Sequence, residues 1–107
     1  MQGVTELNAS NFDSTVLAST QPVIVDFFAT WCGPCRQLSP LLERLSAEYA
    51  GRVTIVKVNA DSSMDLAAKY NVSGLPTLLF FKDGQVVVRK AGLVPLGELK
   101  RICDSLL

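Results

Sequence analysis

Three short runs are apolar at odd and even positions alike: residues 23–29 (Val-Ile-Val-Asp-Phe-Phe-Ala), 53–58 (Val-Thr-Ile-Val-Lys-Val) and 77–81 (Thr-Leu-Leu-Phe-Phe). Their length and their β-branched and aromatic content predict strands, and apolarity on both faces predicts that these strands are central and covered on each side. Between the first two, Leu38, Leu41, Leu42, Leu45 and Tyr49 recur on one helical face, with Gly51 just past the end, so the segment reads as a β-α-β unit. A second helix is expected over about residues 63–70. Lys82-Asp83-Gly84 is a turn signal that joins run 77–81 to a strand over 85–91 as a hairpin, which makes the sheet mixed. Pro95 suits the first turn of a last helix in which Leu96, Leu99, Cys103 and Leu106 share a stripe. An early strand near Val4 to Leu7 and a helix from about Asn11 to Ser19 complete a three-layer α/β sandwich.

The size of 107 residues suits one domain, and no linker, internal repeat or low-complexity segment divides it, so residues 1–107 are expected to form a single unit. Apolar residues make up 49% of the chain and charged ones 19%, enough for a substantial core without metals or staples. Ten basic residues cancel ten acidic ones without any run of like charge, which argues against nucleic acid or an anionic membrane as partner. No apolar stretch approaches the roughly 20 residues of a membrane span. The first residues, Met-Gln-Gly-Val-Thr-Glu-Leu, show neither a charged leader nor an apolar export segment, so a cytoplasmic protein is expected; a monomer is expected as well. Three cysteines, two of them only two residues apart, do not make the disulfide framework of a secreted domain.

The chemistry concentrates in Trp31-Cys32-Gly33-Pro34-Cys35, where the first central strand gives way to a helix. Cys32 should lie at or just before the helix N-terminus, where free backbone N–H groups and the positive end of the helix dipole stabilise a thiolate, the attacking species in disulfide exchange. Cys35, one turn later and expected to lie deeper, would attack a mixed disulfide formed at Cys32 and release the partner. Gly33 leaves the surface open, and Pro34 costs nothing where its missing N–H has no helical partner. A structural zinc site needs four ligands, and the chain holds no histidine and one further cysteine. A structural staple is poorly served by so small a loop.

The segment Val25-Asp26-Phe27-Phe28-Ala29-Thr30-Trp31-Cys32-Gly33-Pro34-Cys35 resembles the active-site strand and loop of the thioredoxin family, and the similarity extends over the whole chain. Gly74-Leu75-Pro76-Thr77 resembles that family's cis-proline loop, and Lys57, Asp61, Gly84 and Gly92 also fall where its pattern has them. The resemblance implies the thioredoxin fold, an α/β/α sandwich with a central mixed five-stranded sheet flanked by four helices. It implies a protein-disulfide reductase acting on disulfide-containing client proteins, with no cofactor bound and recharged by thioredoxin reductase at the expense of NADPH. Phe28 stands where many members have a second Trp, and Leu75 replaces a frequent Ile or Val; both changes bear on partner preference.

Asp26 interrupts an apolar strand, and a buried carboxylate has its pKa raised by desolvation. It is either one half of an ion pair with Lys57 or, as the resemblance implies, the base that takes the Cys35 proton, with Lys57 modulating its charge. Pro76 is either a turn residue or, by the resemblance, part of a cis bond that leaves the Leu75 backbone free to pair with an extended substrate. Together with Trp31, Gly33, Pro34, Gly74 and Gly92 it would form a flat, mostly apolar docking surface. Pro40, inside the first long helix, is architectural, and Cys103 reads as a small buried hydrophobe. Two other functions remain open: a disulfide oxidase or isomerase on the same fold, and a non-catalytic subunit that binds through its surface. Gly33-Pro34 resembles the reducing branch, and a pure scaffold has no need of Cys32, Cys35 and Asp26 together.

Overall fold

The structure, a computed structural model, describes residues 3–107. The chain runs through β1 (Val4–Leu7), α1 (Ala9–Phe12) with a π-helical continuation (Asp13–Leu17), β2 (Val23–Phe28), α2 (Gly33–Glu48) and β3 (Thr54–Asn59). It continues through α3 (Met64–Lys69), β4 (Thr77–Lys82), β5 (Gln85–Ala91) and α4 (Leu96–Leu106). Among the described residues these strands make one mixed sheet of order β1-β3-β2-β4-β5. β3 runs parallel to both β1 and β2, whereas β4 is antiparallel to β2 and β5. This is the expected five-stranded, four-helix sandwich, and β2 lies at its centre.

The period-two alternation of β2 sorts its side chains onto two cores. Ile24 packs with Leu38, Leu42 and Leu45 of α2, Leu99 and Cys103 of α4, and Leu78 and Phe80 of β4. Val23, Val25 and Phe27 face the other way, against Phe12, Val16, Leu66 and Phe81. Asp26, two residues after Ile24, therefore points to the α2 side of the sheet. Both faces of the central strands are buried, as their uninterrupted apolarity requires.

The hairpin between β4 and β5 turns on Asp83 and Gly84, both at positive φ (52° and 78°), the backbone that a two-residue hairpin loop demands. A Cβ on Gly84 would also come within 3.0 Å of the Leu17 carbonyl oxygen, so glycine is required there twice over. Pro95 stands one residue earlier than expected, as the extended residue that caps α4 and not as its first helical residue. The helix α2 continues through Pro40 to Glu48.

Candidate active site

Cys32 is the N-cap of α2: its backbone is extended (φ −85°, ψ 112°) and its sulfur accepts the Cys35 N–H at 3.2 Å. A sulfur thus occupies the place where Ser or Asp usually satisfies a free helical N–H, and a thiolate there is favoured by the same donors and by the helix dipole. The Cys32 N–H donates back to the Ala29 carbonyl at 3.2 Å, which fixes the approach from β2. Pro34 sits in the first turn, as its missing N–H allows. Cys32 and Cys35 are joined in a disulfide across a Cα–Cα distance of 5.3 Å, so the structure shows the oxidised state. The expectation that Cys35 lies deeper needs correction: the two residues are 3% and 5% exposed, because in the disulfide both pack on Ala29 beneath Phe28 and Leu75. What separates them is position, Cys32 at the cap and Cys35 facing the cavity beside Asp26.

The Leu75–Pro76 bond is cis. The Thr77 hydroxyl donates to the Gly74 carbonyl at 2.6 Å, and the Gly92 N–H donates to the Pro76 carbonyl at 2.8 Å, so the loop is tied at both ends. Pro76 itself is buried, and the loop offers Gly74 and the half-buried Leu75 to the surface instead. Gly33 is open, with nothing within 4 Å of where a side chain would begin, and Pro34 is exposed. Trp31 is 67% exposed, yet it is held: its indole N–H donates to the Asp61 carboxylate at 2.8 Å. Asp61 is in turn fixed by Asn59, whose side-chain oxygen accepts the Asp61 N–H at 2.9 Å. Between Trp31 and the Gly74-Leu75 loop lies a groove of about 530 Å³, lined also by Met64 and Val72. Met64 and Leu93, 71% and 47% exposed, are apolar surface residues that the sequence reading did not single out. The available signal for Leu93 was its place beside Gly92.

Asp26 is 4% exposed, and its Oδ1 has no hydrogen-bond partner among the described residues. Burial pushes its pKa up to about 7, and the positive charge of Lys57 offsets part of that rise. Lys57 is its register neighbour on β3, but no ion pair joins them among the described residues; the ammonium lies 5.3 Å from the centre of the Phe28 ring. The purely structural alternative of a closed Asp26–Lys57 bridge is thus not what the structure contains. Asp26 instead borders an open cavity of about 260 Å³ together with Cys35, Ser39 and Lys57. A carboxyl poised near neutrality beside the second cysteine can accept or return a proton at physiological pH.

Cys103 is free, fully buried in the α2/α4 core, and pushed up to about 11 chiefly by burial. At neutral pH such a group is a neutral thiol and not the nucleophilic thiolate. Alkylation of the reduced native protein should therefore label Cys32 and Cys35, with Cys103 reacting only after denaturation; mass spectrometry of the labelled peptides checks this. Among the described residues no group of three or more His, Cys, Asp or Glu could hold a metal ion, and no helix is long and apolar enough to cross a membrane.

The sequence profile of the Thioredoxin family matches residues 3–105. The chain is 50% identical over 95 residues to Thioredoxin C-2 of Corynebacterium nephridii, covering 89% of this chain and 88% of that one. It is 42% identical over 105 residues to a Thioredoxin of Haemophilus influenzae, with 98% of each chain covered. It is also 47% identical to the chloroplastic Thioredoxin X of Arabidopsis thaliana, over 98% of this chain but 59% of that longer one. A disulfide capping α2 beside a cis-proline loop, in a sheet of order β1-β3-β2-β4-β5 and with these relatives, places the chain in the thioredoxin family, as a thiol-disulfide oxidoreductase that reduces protein disulfides through Cys32 and Cys35.

Proposed function

We propose that reduction of a client proceeds in two displacements, with Cys32 as nucleophile, Cys35 as resolving thiol and Asp26 as the base. The observation that carries this reading is the capping geometry: of the two sulfurs, that of Cys32 accepts a helix N-terminal N–H, while Cys35 lines the same cavity as the Asp26 carboxyl. The Cys32 thiolate attacks one sulfur of the client disulfide and expels the other as a thiolate, giving a mixed disulfide. Asp26 then takes the Cys35 proton. The Cys35 thiolate attacks Cys32 sulfur, forming the intramolecular disulfide and releasing the second client sulfur, which leaves as a thiolate and is protonated. Lys57 modulates the charge on Asp26 from the neighbouring strand.

The client docks across Trp31, Gly33, Pro34, Gly74, Leu75 and Gly92, with Pro76 acting from beneath by shaping the loop. An extended client segment can pair with the Leu75 backbone, while the groove beside Trp31 accepts an apolar side chain. The oxidised protein is recharged by thioredoxin reductase with electrons from NADPH, and the chain itself needs no bound cofactor for its thiol chemistry. It works as a monomer in the cytoplasm. Reduction of insulin, followed as turbidity with NADPH and a bacterial thioredoxin reductase, tests the proposal. Catalysed precipitation with matching NADPH consumption is expected. Failure to reduce insulin with either the reductase or dithiothreitol as electron source would overturn it.

A further inference from the structure

A buried carboxylate oxygen without a partner needs an explanation, and Asp26 Oδ1 is such an atom. The cavity it borders, about 260 Å³, has room for several water molecules at roughly 30 Å³ each. Its wall includes one neutral hydroxyl group beyond the residues already given roles, apart from Thr30 at the exposed rim: Ser39. Ser39 follows Cys35 by four residues on α2, so the two lie on the same face of the helix, above the strand that carries Asp26. No hydrogen bond ties the Ser39 hydroxyl to another group among the described residues, which leaves it available to solvent within the cavity. We propose that Ser39 is a positioning residue for the exchange reaction, its hydroxyl anchoring the water that links Cys35 to Asp26 Oδ1.

The inference rests on Asp26 being the base and adds the path its proton takes. The Cys35 S–H gives its proton through the anchored water to Asp26, and the resulting thiolate attacks the Cys32 sulfur of the mixed disulfide. The Cys32–Cys35 bond forms and the Cys32–client bond breaks. The client sulfur leaves with the electron pair and takes a proton from solvent, and Asp26 returns its proton to solvent through the same water. The other charged or titratable groups facing this site are Lys57 from β3 and Cys35 and Arg36 from α2. Arg36 donates to the Thr30 carbonyl at 2.9 Å, which holds its guanidinium at the rim, and β4 sets only the apolar Leu78 beside Asp26.

Stopped-flow reaction of the reduced protein with 5,5′-dithiobis(2-nitrobenzoate) separates the two displacements, since the first coloured thiolate is released by Cys32 and the second by Cys35. Ser39→Ala should leave the first release unchanged and slow the second about 3- to 10-fold, the scale of one water-mediated bond. It should also move the midpoint of the second step's pH profile upward, because the carboxylate loses a donor. Ser39→Thr, which keeps the hydroxyl, should recover most of the rate. In an Asp26→Asn background, Ser39→Ala should cause no further slowing. A wild-type rate and pH profile for Ser39→Ala, or equal slowing with and without Asp26, would overturn the role of Ser39 while leaving the base in place. An unchanged second release in Asp26→Asn alone would overturn both.

Discussion

Cys35→Ser is expected to convert the protein from a catalyst into a trap. Cys32 keeps its place at the cap of α2, with its sulfur still near the free helical N–H groups, so it attacks client disulfides as before. The serine hydroxyl is too weakly acidic and too poor a nucleophile to displace the client. The mixed disulfide therefore persists, and turnover of insulin falls to the uncatalysed background. Cys32→Ser also abolishes turnover but should accumulate almost no adducts, because Cys35 is not the capping residue. Non-reducing electrophoresis of each variant after incubation with a disulfide-bonded client distinguishes the two. Equal trapping by both would contradict the division of labour, and the comparison is informative because overall exposure of the two cysteines is nearly the same.

Asp26→Asn is expected to act in opposite directions on rate and stability. Removing a general base slows the step it serves by on the order of 10²-fold, so the second displacement should become limiting near neutral pH. Stability should rise. The folded pKa of Asp26, about 7, lies above its ordinary value of 3.8, so the folded state holds a proton that the unfolded chain has released between those values. Stability of the native protein therefore falls as pH climbs from about 4 to about 7 and stays lower above that window. The difference corresponds to something on the order of 4 kcal/mol if the whole shift is expressed in folding. Asparagine carries no such penalty, so its advantage should be greatest at pH 8 and shrink toward pH 4. Urea titrations of the oxidised proteins at the two pH values measure it. An advantage that grows with acidity would show that Asp26 is stabilised as a carboxylate, contrary to its burial and missing partner.

The central strands and the hairpin were legible because burial on both sides leaves little place for polar residues, with Asp26 the one interruption of β2, and because Asp83-Gly84 admits few other turns. The ends were less so, since hydrogen bonding and hydrophobicity stop at different residues. Val53 is buried and apolar, but its N–H donates to the Tyr49 carbonyl, so it finishes the turn after α2 and β3 begins at Thr54. Asn59 and Lys82 are polar yet extend the ladders of β3 and β4. The first helix begins at Ala9 and not near Asn11, because Asn8 caps it: the Asn8 side chain accepts the Ser10 N–H while Asn11 reaches back to the Asn8 N–H. Asn at the cap in place of Ser or Thr, and the shorter Asn11 in place of Glu or Gln, hid that signal.

In the site, the cysteine spacing and the lone carboxylate of β2 carried the chemistry, since each is costly or pointless without it. What stayed hidden depends on contacts between elements distant in sequence. The Trp31–Asp61 hydrogen bond joins residues 30 apart. Lys57 could have bridged to Asp26 from the neighbouring strand, and only the fold shows it over Phe28. The cavity that brings Ser39 to Asp26 exists because α2 lies across β2 at that point, which no local pattern encodes.

The direction of electron flow follows from how strongly the Cys32 thiolate is stabilised. A strongly stabilised thiolate favours the reduced form and makes an oxidant; a modest one leaves a reductant. Cys32 has the helix terminus in its favour, but Trp31, Gly33 and Pro34 beside it are uncharged, and Asp26 opposes further negative charge nearby when ionised. A modest stabilisation is therefore expected. Equilibration of the Cys32–Cys35 couple against dithiothreitol or glutathione buffers, with the dithiol fraction read by alkylation, measures the outcome most directly. A potential close to the −270 mV or so of thioredoxins as a class is expected. A potential near −120 mV, roughly that of a dedicated disulfide oxidant, would contradict it and make the protein a donor of disulfides.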